Sequence, residues 1–136
     1  KLATNFITTM DKSTLIKDAL FQLEDYVMSV SATTRPPRAN EIDGFHYIFL
    51  SDDEFRSMIE QDKFIEWAKY INHYYGTLKE EVEKDLNKGR NVVLEIEVQG
   101  AMNVKKAYKD AFLIFITVSS ISQLKKRLKK RGLLNY

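Results

Sequence analysis

The chain of 136 residues contains no cysteine. That excludes a disulfide framework and any thiolate metal centre. With only two histidines, His46 and His73, and no cysteine, a zinc site is not expected. No apolar run approaches the roughly 20 residues of a membrane-spanning helix. The segment Lys1-Leu2-Ala3-Thr4-Asn5-Phe6 lacks the apolar core of a secretory leader. Net charge is only +2, which argues against nonspecific binding to a nucleic acid polymer. No internal repeat or low-complexity tract is present. These absences point to a cytoplasmic protein whose partners are neither membrane nor nucleic acid. Proline is scarce too: the chain has two, and they are adjacent, Pro36-Pro37.

Hydrophobic residues make up 44% and charged residues 29%, the balance of a folded domain with a real core. Ser13 to Asp25 has helical apolar spacing through Leu15, Ile16, Ala19, Leu20 and Leu23. Short strands are expected at Val27 to Ser31 and Phe45 to Leu50, and an alternating strand at Phe64 to Tyr70. Ser51-Asp52-Asp53-Glu54 and Thr77-Leu78-Lys79-Glu80 both read as capping boxes that open helices, the second helix ending near Gly89. Asn91 to Val98 is rich in β-branched residues. Ala111 to Val118 is nearly all apolar, as in a strand buried on both faces. Gly100 to Tyr108 between them is helical, and Ser120 opens a last helix carrying Lys125-Lys126-Arg127 and Lys129-Lys130-Arg131. Alternating helices and strands in the second half favour a parallel sheet covered by helices. The middle, about Ala32 to Lys79, reads as an insertion with its own small sheet.

The two prolines stiffen the most informative segment, Ser29-Val30-Ser31-Ala32-Thr33-Thr34-Arg35-Pro36-Pro37-Arg38. Arg35 and Arg38 stand three residues apart beside hydroxyls, and guanidinium is the group best shaped to grip phosphate through paired hydrogen bonds. Glu41-Ile42-Asp43-Gly44-Phe45-His46-Tyr47 adds a turn and a phenol. Together these read as a pocket for a small phosphorylated ligand; a solvated basic loop is the plainer alternative. Glu95 and Glu97 lie two apart on a strand and so share a face. Arg127 and Arg131 lie four apart and share a helix face.

Five ordered blocks carry a resemblance: Ser31 to Arg38, Glu41 to Tyr47, Phe64-Ile65-Glu66-Trp67-Ala68, Tyr74-Tyr75-Gly76-Thr77, and Leu94-Glu95-Ile96-Glu97-Val98-Gln99-Gly100. In this order they resemble guanylate kinases, over about residues 12 to 132. The resemblance implies an α/β fold: a three-layer P-loop kinase core with a parallel sheet, residues 1–31 and 80–136, and an inserted small GMP-binding α+β subdomain, residues 32–79. It implies phosphoryl transfer from ATP, bound with Mg2+, to GMP by a monomer or homodimer. Arg35, Arg38, Tyr47 and Tyr75 would hold the GMP phosphate. Ser31, Glu66 and Thr77 would read the guanine edge, and Glu97 would act through GMP or a magnesium-bound water. Lys12, Ser13 and Thr14 would contact ATP, with Ser13 on the metal. Lys12, Arg127 and Arg131 would neutralise the transferred phosphoryl group.

The resemblance is imperfect on the ATP side. A phosphate loop of the form Gly-x-x-x-x-Gly-Lys-[Ser/Thr] uses its glycines to wrap backbone N–H groups round the phosphates. Here Phe6 and Asp11 stand at the glycine positions, ahead of Lys12-Ser13-Thr14. After Arg131-Gly132, where the family continues with an arginine-bearing lid, only Leu133-Leu134-Asn135-Tyr136 follow. Either segments of loop and tail are missing from this sequence, or the chain has a degenerate loop and no lid. The completeness of the GMP side favours the former. The alternative function is a guanylate-kinase-like module that binds phosphopeptides and no longer transfers phosphate.

Overall fold

The computed structural model describes residues 2–6, 16, 23–115, 120–122 and 125. In chain order its elements are β1 (Leu2–Phe6), β2 (Tyr26–Met28), β3 (Ala32–Thr33), β4 (Ile48–Phe49), α1 (Asp52–Glu60), β5 (Phe64–Tyr70), β6 (His73–Leu78), α2 (Lys79–Leu86), β7 (Asn91–Glu95), α3 (Val98–Ala107) and β8 (Phe112–Phe115). They form two sheets. One has the order β2-β7-β1-β8 with every pairing parallel. The other has the order β4-β3-β6-β5, with β5 and β3 antiparallel to β6 and β4 parallel to β3.

The parallel sheet follows from the alternation of apolar strands and amphipathic helices. Val92, Val93 and Leu94 of β7 are all buried, as expected of a central strand covered on both faces. Val92 and Leu94 pack with Val82 of α2 and with Ala101 and Val104 of α3. Fully burying each of these valine and leucine side chains stabilises the fold by about 1.5–3 kcal/mol. Gly89 supplies the left-handed residue, φ 78°, just past the end of α2.

The smaller sheet has its own core of Ala32, Phe55, Phe64 and Leu78. Ser51 caps α1 as its sequence indicates. Its hydroxyl accepts from the Glu54 backbone N–H at 3.2 Å, and the Glu54 carboxylate accepts from the Ser51 N–H at 2.7 Å. Asp52, Asp53 and Glu54 place negative charge on the positive end of the helix. The helix delivers Phe55 into the core, stacked on Phe64 at 4.3 Å and on Tyr74 at 5.3 Å between ring centroids.

Strand β5 joins the two cores. A bulge shifts its register between Phe64 and Glu66. Phe64 enters the small core, while the next residue, Ile65, packs against the larger one.

Several sequence expectations are corrected. Thr77 does not cap α2: it ends β6, and the cap position is Leu78, which makes no side-chain capping bond. The Thr77 hydroxyl is committed to Glu66 across the hairpin. The strand expected at Phe45 to Leu50 is only two residues long, because Phe45 and His46 turn back on Ile42 through backbone bonds. Residues 23–25 form a turn into β2 instead of continuing a helix, with Tyr26 N–H bonded to the Leu23 carbonyl. β2 stops at Met28, and β7 ends at Glu95, so Glu97 is the cap residue of α3. β8 is an edge strand among the described ones, and Phe112, Ile114 and Phe115 are exposed where burial on both faces was expected. Most of the helices expected at Ser13 to Asp25 and after Ser120 lies outside the described residues. Ile16 is helical and buried.

Candidate functional site

A cleft of about 990 Å³ opens between the two sheets. Its walls come from the end of β2 and the following segment (Met28, Ser29, Val30, Ser31), the turn before β4 (Arg38, Glu41, Tyr47), the inner face of the β5–β6 hairpin (Glu66, Ala68, Tyr75, Gly76), and the residues at and after the end of β7 (Glu95, Ile96, Glu97). The C-terminal edge of a parallel sheet is the usual place for ligands in α/β folds.

Strand alternation explains the hairpin wall. Glu66, Ala68 and Tyr70 of β5 and Tyr75 of β6 reach the cleft, while Trp67 and Tyr74 pack against each other, with ring centroids 6.1 Å apart. Glu66 is 7% exposed. Its Oε1 accepts from the fully buried Thr77 hydroxyl at 2.6 Å. Burial pushes the Glu66 carboxyl above its ordinary pKa, and the Thr77 hydrogen bonds pull the other way. This carboxylate is buried in the hairpin wall of the cleft and held there by Thr77.

Cationic and phenolic groups lie at another part of the cleft. Tyr47 and Tyr75 meet edge to face with centroids 6.4 Å apart. Burial raises the Tyr47 phenol pKa, and the negative charge of Glu95 adds to it. Arg35 is clamped: Nη1 and Nη2 donate to the two Glu41 oxygens at 2.9 and 2.8 Å, and Nη1 also donates to the Pro36 carbonyl at 2.7 Å. Its guanidinium sits 5.4 Å from the Tyr47 ring centre and 5.9 Å from that of Phe49. Glu41 Oε2 also accepts from the Arg38 backbone N–H at 2.7 Å. The Arg35 hydrogen bond, with that of Arg38 second, holds the Glu41 carboxyl at about 2. Glu41 therefore shapes the whole Arg35-Pro36-Pro37-Arg38 loop, and sequence reasoning did not assign it that role. The available signal was a carboxylate three residues after Arg38 and six after Arg35.

Six of the substrate-side residues named from sequence thus border one cleft: Ser31, Arg38, Tyr47, Glu66, Tyr75 and Glu97. Thr77 stands behind Glu66, and Arg35 is folded onto Glu41. Lys12, Ser13, Thr14, Arg127 and Arg131 lie outside the described residues.

The guanylate kinase family model matches residues 8–135 of this chain. The chain belongs to the guanylate kinase family. It is 50% identical over 121 residues to the guanylate kinase of Caldanaerobacter subterraneus subsp. tengcongensis, covering 89% of this chain and 59% of that protein. Against the guanylate kinase of Mycoplasma genitalium the identity is 51% over 123 residues, 89% of this chain and 51% of the other. The chain therefore spans between half and two thirds of the length of these relatives. The crystal structure of guanylate kinase from Anaplasma phagocytophilum superposes with a TM-score of 0.76 at 29% identity, covering 97% of this chain and 66% of that one. The P-loop kinase architecture of the family accords with the parallel sheet and the second, mixed sheet found here. No helix among the described residues is long and apolar enough to cross a membrane.

Proposed function

We propose that this chain carries the GMP site of an ATP:GMP phosphotransferase. The observation supporting this reading is the cleft that gathers Arg38, Tyr47 and Tyr75 with the buried, hydroxyl-supported carboxylate of Glu66. Guanine presents N1–H and N2–H₂ on one edge, and one carboxylate accepts both. Adenine lacks that donor pair and would leave the buried carboxylate unpaired, so AMP is rejected. Thr77 fixes the rotamer of Glu66, and Ser31 reads the same edge. Arg38 and the phenols of Tyr47 and Tyr75 take the GMP phosphate, with Arg35 joining from its place on Glu41.

In this assignment residues 32–79 form the GMP-binding subdomain, and residues 1–31 and 80–136 the nucleotide-binding core. Lys12, Ser13 and Thr14 contact ATP. Arg127 and Arg131 spread positive charge over the transferred group. No strong base is required, since alignment of the acceptor and neutralisation of charge do most of the work in phosphoryl transfer. Among the described residues no group of three or more His, Cys, Asp or Glu forms a metal cage. Magnesium bound with ATP would be held by the Ser13 hydroxyl and, through water, by Glu97, and would offset charge on the phosphates.

The test is ADP production from ATP and magnesium with GMP or AMP as acceptor. GMP-dependent turnover without AMP-dependent turnover is the expected result. Absence of turnover alongside absence of GMP binding would refute the proposal. Phosphopeptide binding in place of GMP binding would move the assignment to the protein-binding alternative.

A further inference from the structure

Oε1 of Glu66 is held by Thr77, and the other oxygen, Oε2, faces a residue with no side chain. Gly100 lies in the first turn of α3 and is buried. A Cβ built on it would collide with Glu66 Oε2 and would lie 3.0 Å from Cδ and 3.3 Å from Cγ. The φ angle at Gly100 is not in the left-handed region, so backbone conformation does not demand glycine there. Nor does helix propensity, which favours alanine at a helical position. The remaining physical reason for a missing Cβ at this point is the space taken by the carboxyl group of Glu66.

We propose that Gly100 is a positioning residue for base selection: its bare Cα is the rear wall that sets where the Glu66 carboxylate stands in the cleft. This rests on the reading of Glu66 as the group that receives guanine. The contact runs between layers, since Glu66 belongs to β5 of the small sheet and Gly100 to the helix after β7 of the large one. The end of a flexible side chain yields easily to a new methyl group. Gly100→Ala is therefore tolerated by the fold, and the displacement falls on the carboxylate. The Thr77 bond at 2.6 Å leaves Glu66 little room to move without losing its alignment.

The experiment is a cycle of Gly100→Ala and Glu66→Ala in the otherwise intact chain, read by GMP affinity and thermal midpoint. Gly100→Ala is expected to weaken GMP binding by about tenfold or more, the loss of roughly one hydrogen bond to a charged group. Its melting temperature should be unchanged or higher. In the Glu66→Ala background, where there is no carboxylate to displace, adding Gly100→Ala should change affinity by less than about twofold, since the coupling has been removed. An equal effect in both backgrounds, or no effect in the wild-type background, overturns the proposal. Carboxyl-carbon NMR titration of Glu66 supplies a readout independent of GMP. Its raised pKa should move toward the ordinary value in Gly100→Ala as the group is pushed out of its site, and an unmoved titration overturns the positioning role. A wild-type chain that does not bind GMP would refute the functional reading, while this titration would still decide the role of Gly100.

Discussion

Glu66→Gln should move affinity and stability in opposite directions. The substitution keeps shape and volume, and its carbonyl oxygen still accepts from the Thr77 hydroxyl that now bonds Glu66 Oε1 at 2.6 Å. It replaces the second acceptor with an NH₂ donor, which faces one of the two guanine donors. Losing one hydrogen bond to a charged group removes about 1.5–3 kcal/mol. GMP affinity should therefore fall by about 10- to 150-fold. Stability should change the other way. Burial raises the Glu66 pKa above the 4.5 of a free carboxyl. A carboxyl raised on folding contributes most to stability when protonated, below the unfolded value, and that contribution is lost as pH rises through the folded value. Above the raised pKa the wild type buries a charge that the glutamine variant does not. The variant should melt higher there, and the gap should close as the pH is lowered through that pKa. Calorimetric titration with GMP and thermal melts across a pH series measure both. Undiminished GMP affinity, or a melting-temperature gap that does not depend on pH, would refute the reasoning.

Three further outcomes are expected. Phe55→Ala should destabilise the fold by about 3–5 kcal/mol, because the ring is fully buried and stacked on Phe64 and Tyr74; a lowered urea midpoint checks this. Glu41, held at about 2 mainly by Arg35, contributes stability above the ordinary carboxyl value that is lost as pH falls through about 2. Glu41→Gln should flatten that acid limb, followed by the fluorescence of Trp67, the chain's single tryptophan. Ile71, an exposed β-branched residue at φ 50° in the β5–β6 turn, stores backbone strain. Ile71→Asn should raise stability by about 1 kcal/mol and lift the melting temperature.

Local patterns with local causes were legible in the sequence. Ser51 and Glu54 satisfy each other within four residues, so their capping box could be read directly. The parallel sheet was visible because helices alternate with strands in the second half, and β7 is apolar through its middle, Val92 to Leu94. Thr77 carries the same capping pattern as Ser51 and was misread, because its hydroxyl belongs to a carboxylate eleven residues earlier. No rule of spacing reveals that claim before the hairpin is paired. Glu41 escaped notice for a related reason: its partners are the arginines expected to hold phosphate, and a carboxylate among them looks like solvent-facing charge. The exposure of Phe112 and Phe115 depends on the position of β8 in the sheet order, which composition does not encode. Arg35, Arg38 and Tyr47 read as a phosphate pocket from the residues themselves, the other GMP-side residues were named through family resemblance, and Arg127, Arg131 and Lys12 lie outside the described residues.

The bulge in β5 makes one strand a tenant of two cores. Phe64 and Ile65 are adjacent in sequence, yet each is held by a different set of apolar neighbours. Opening either core alone leaves the other still gripping this strand. The carboxylate one residue beyond Ile65 is thus carried by a strand anchored in both cores.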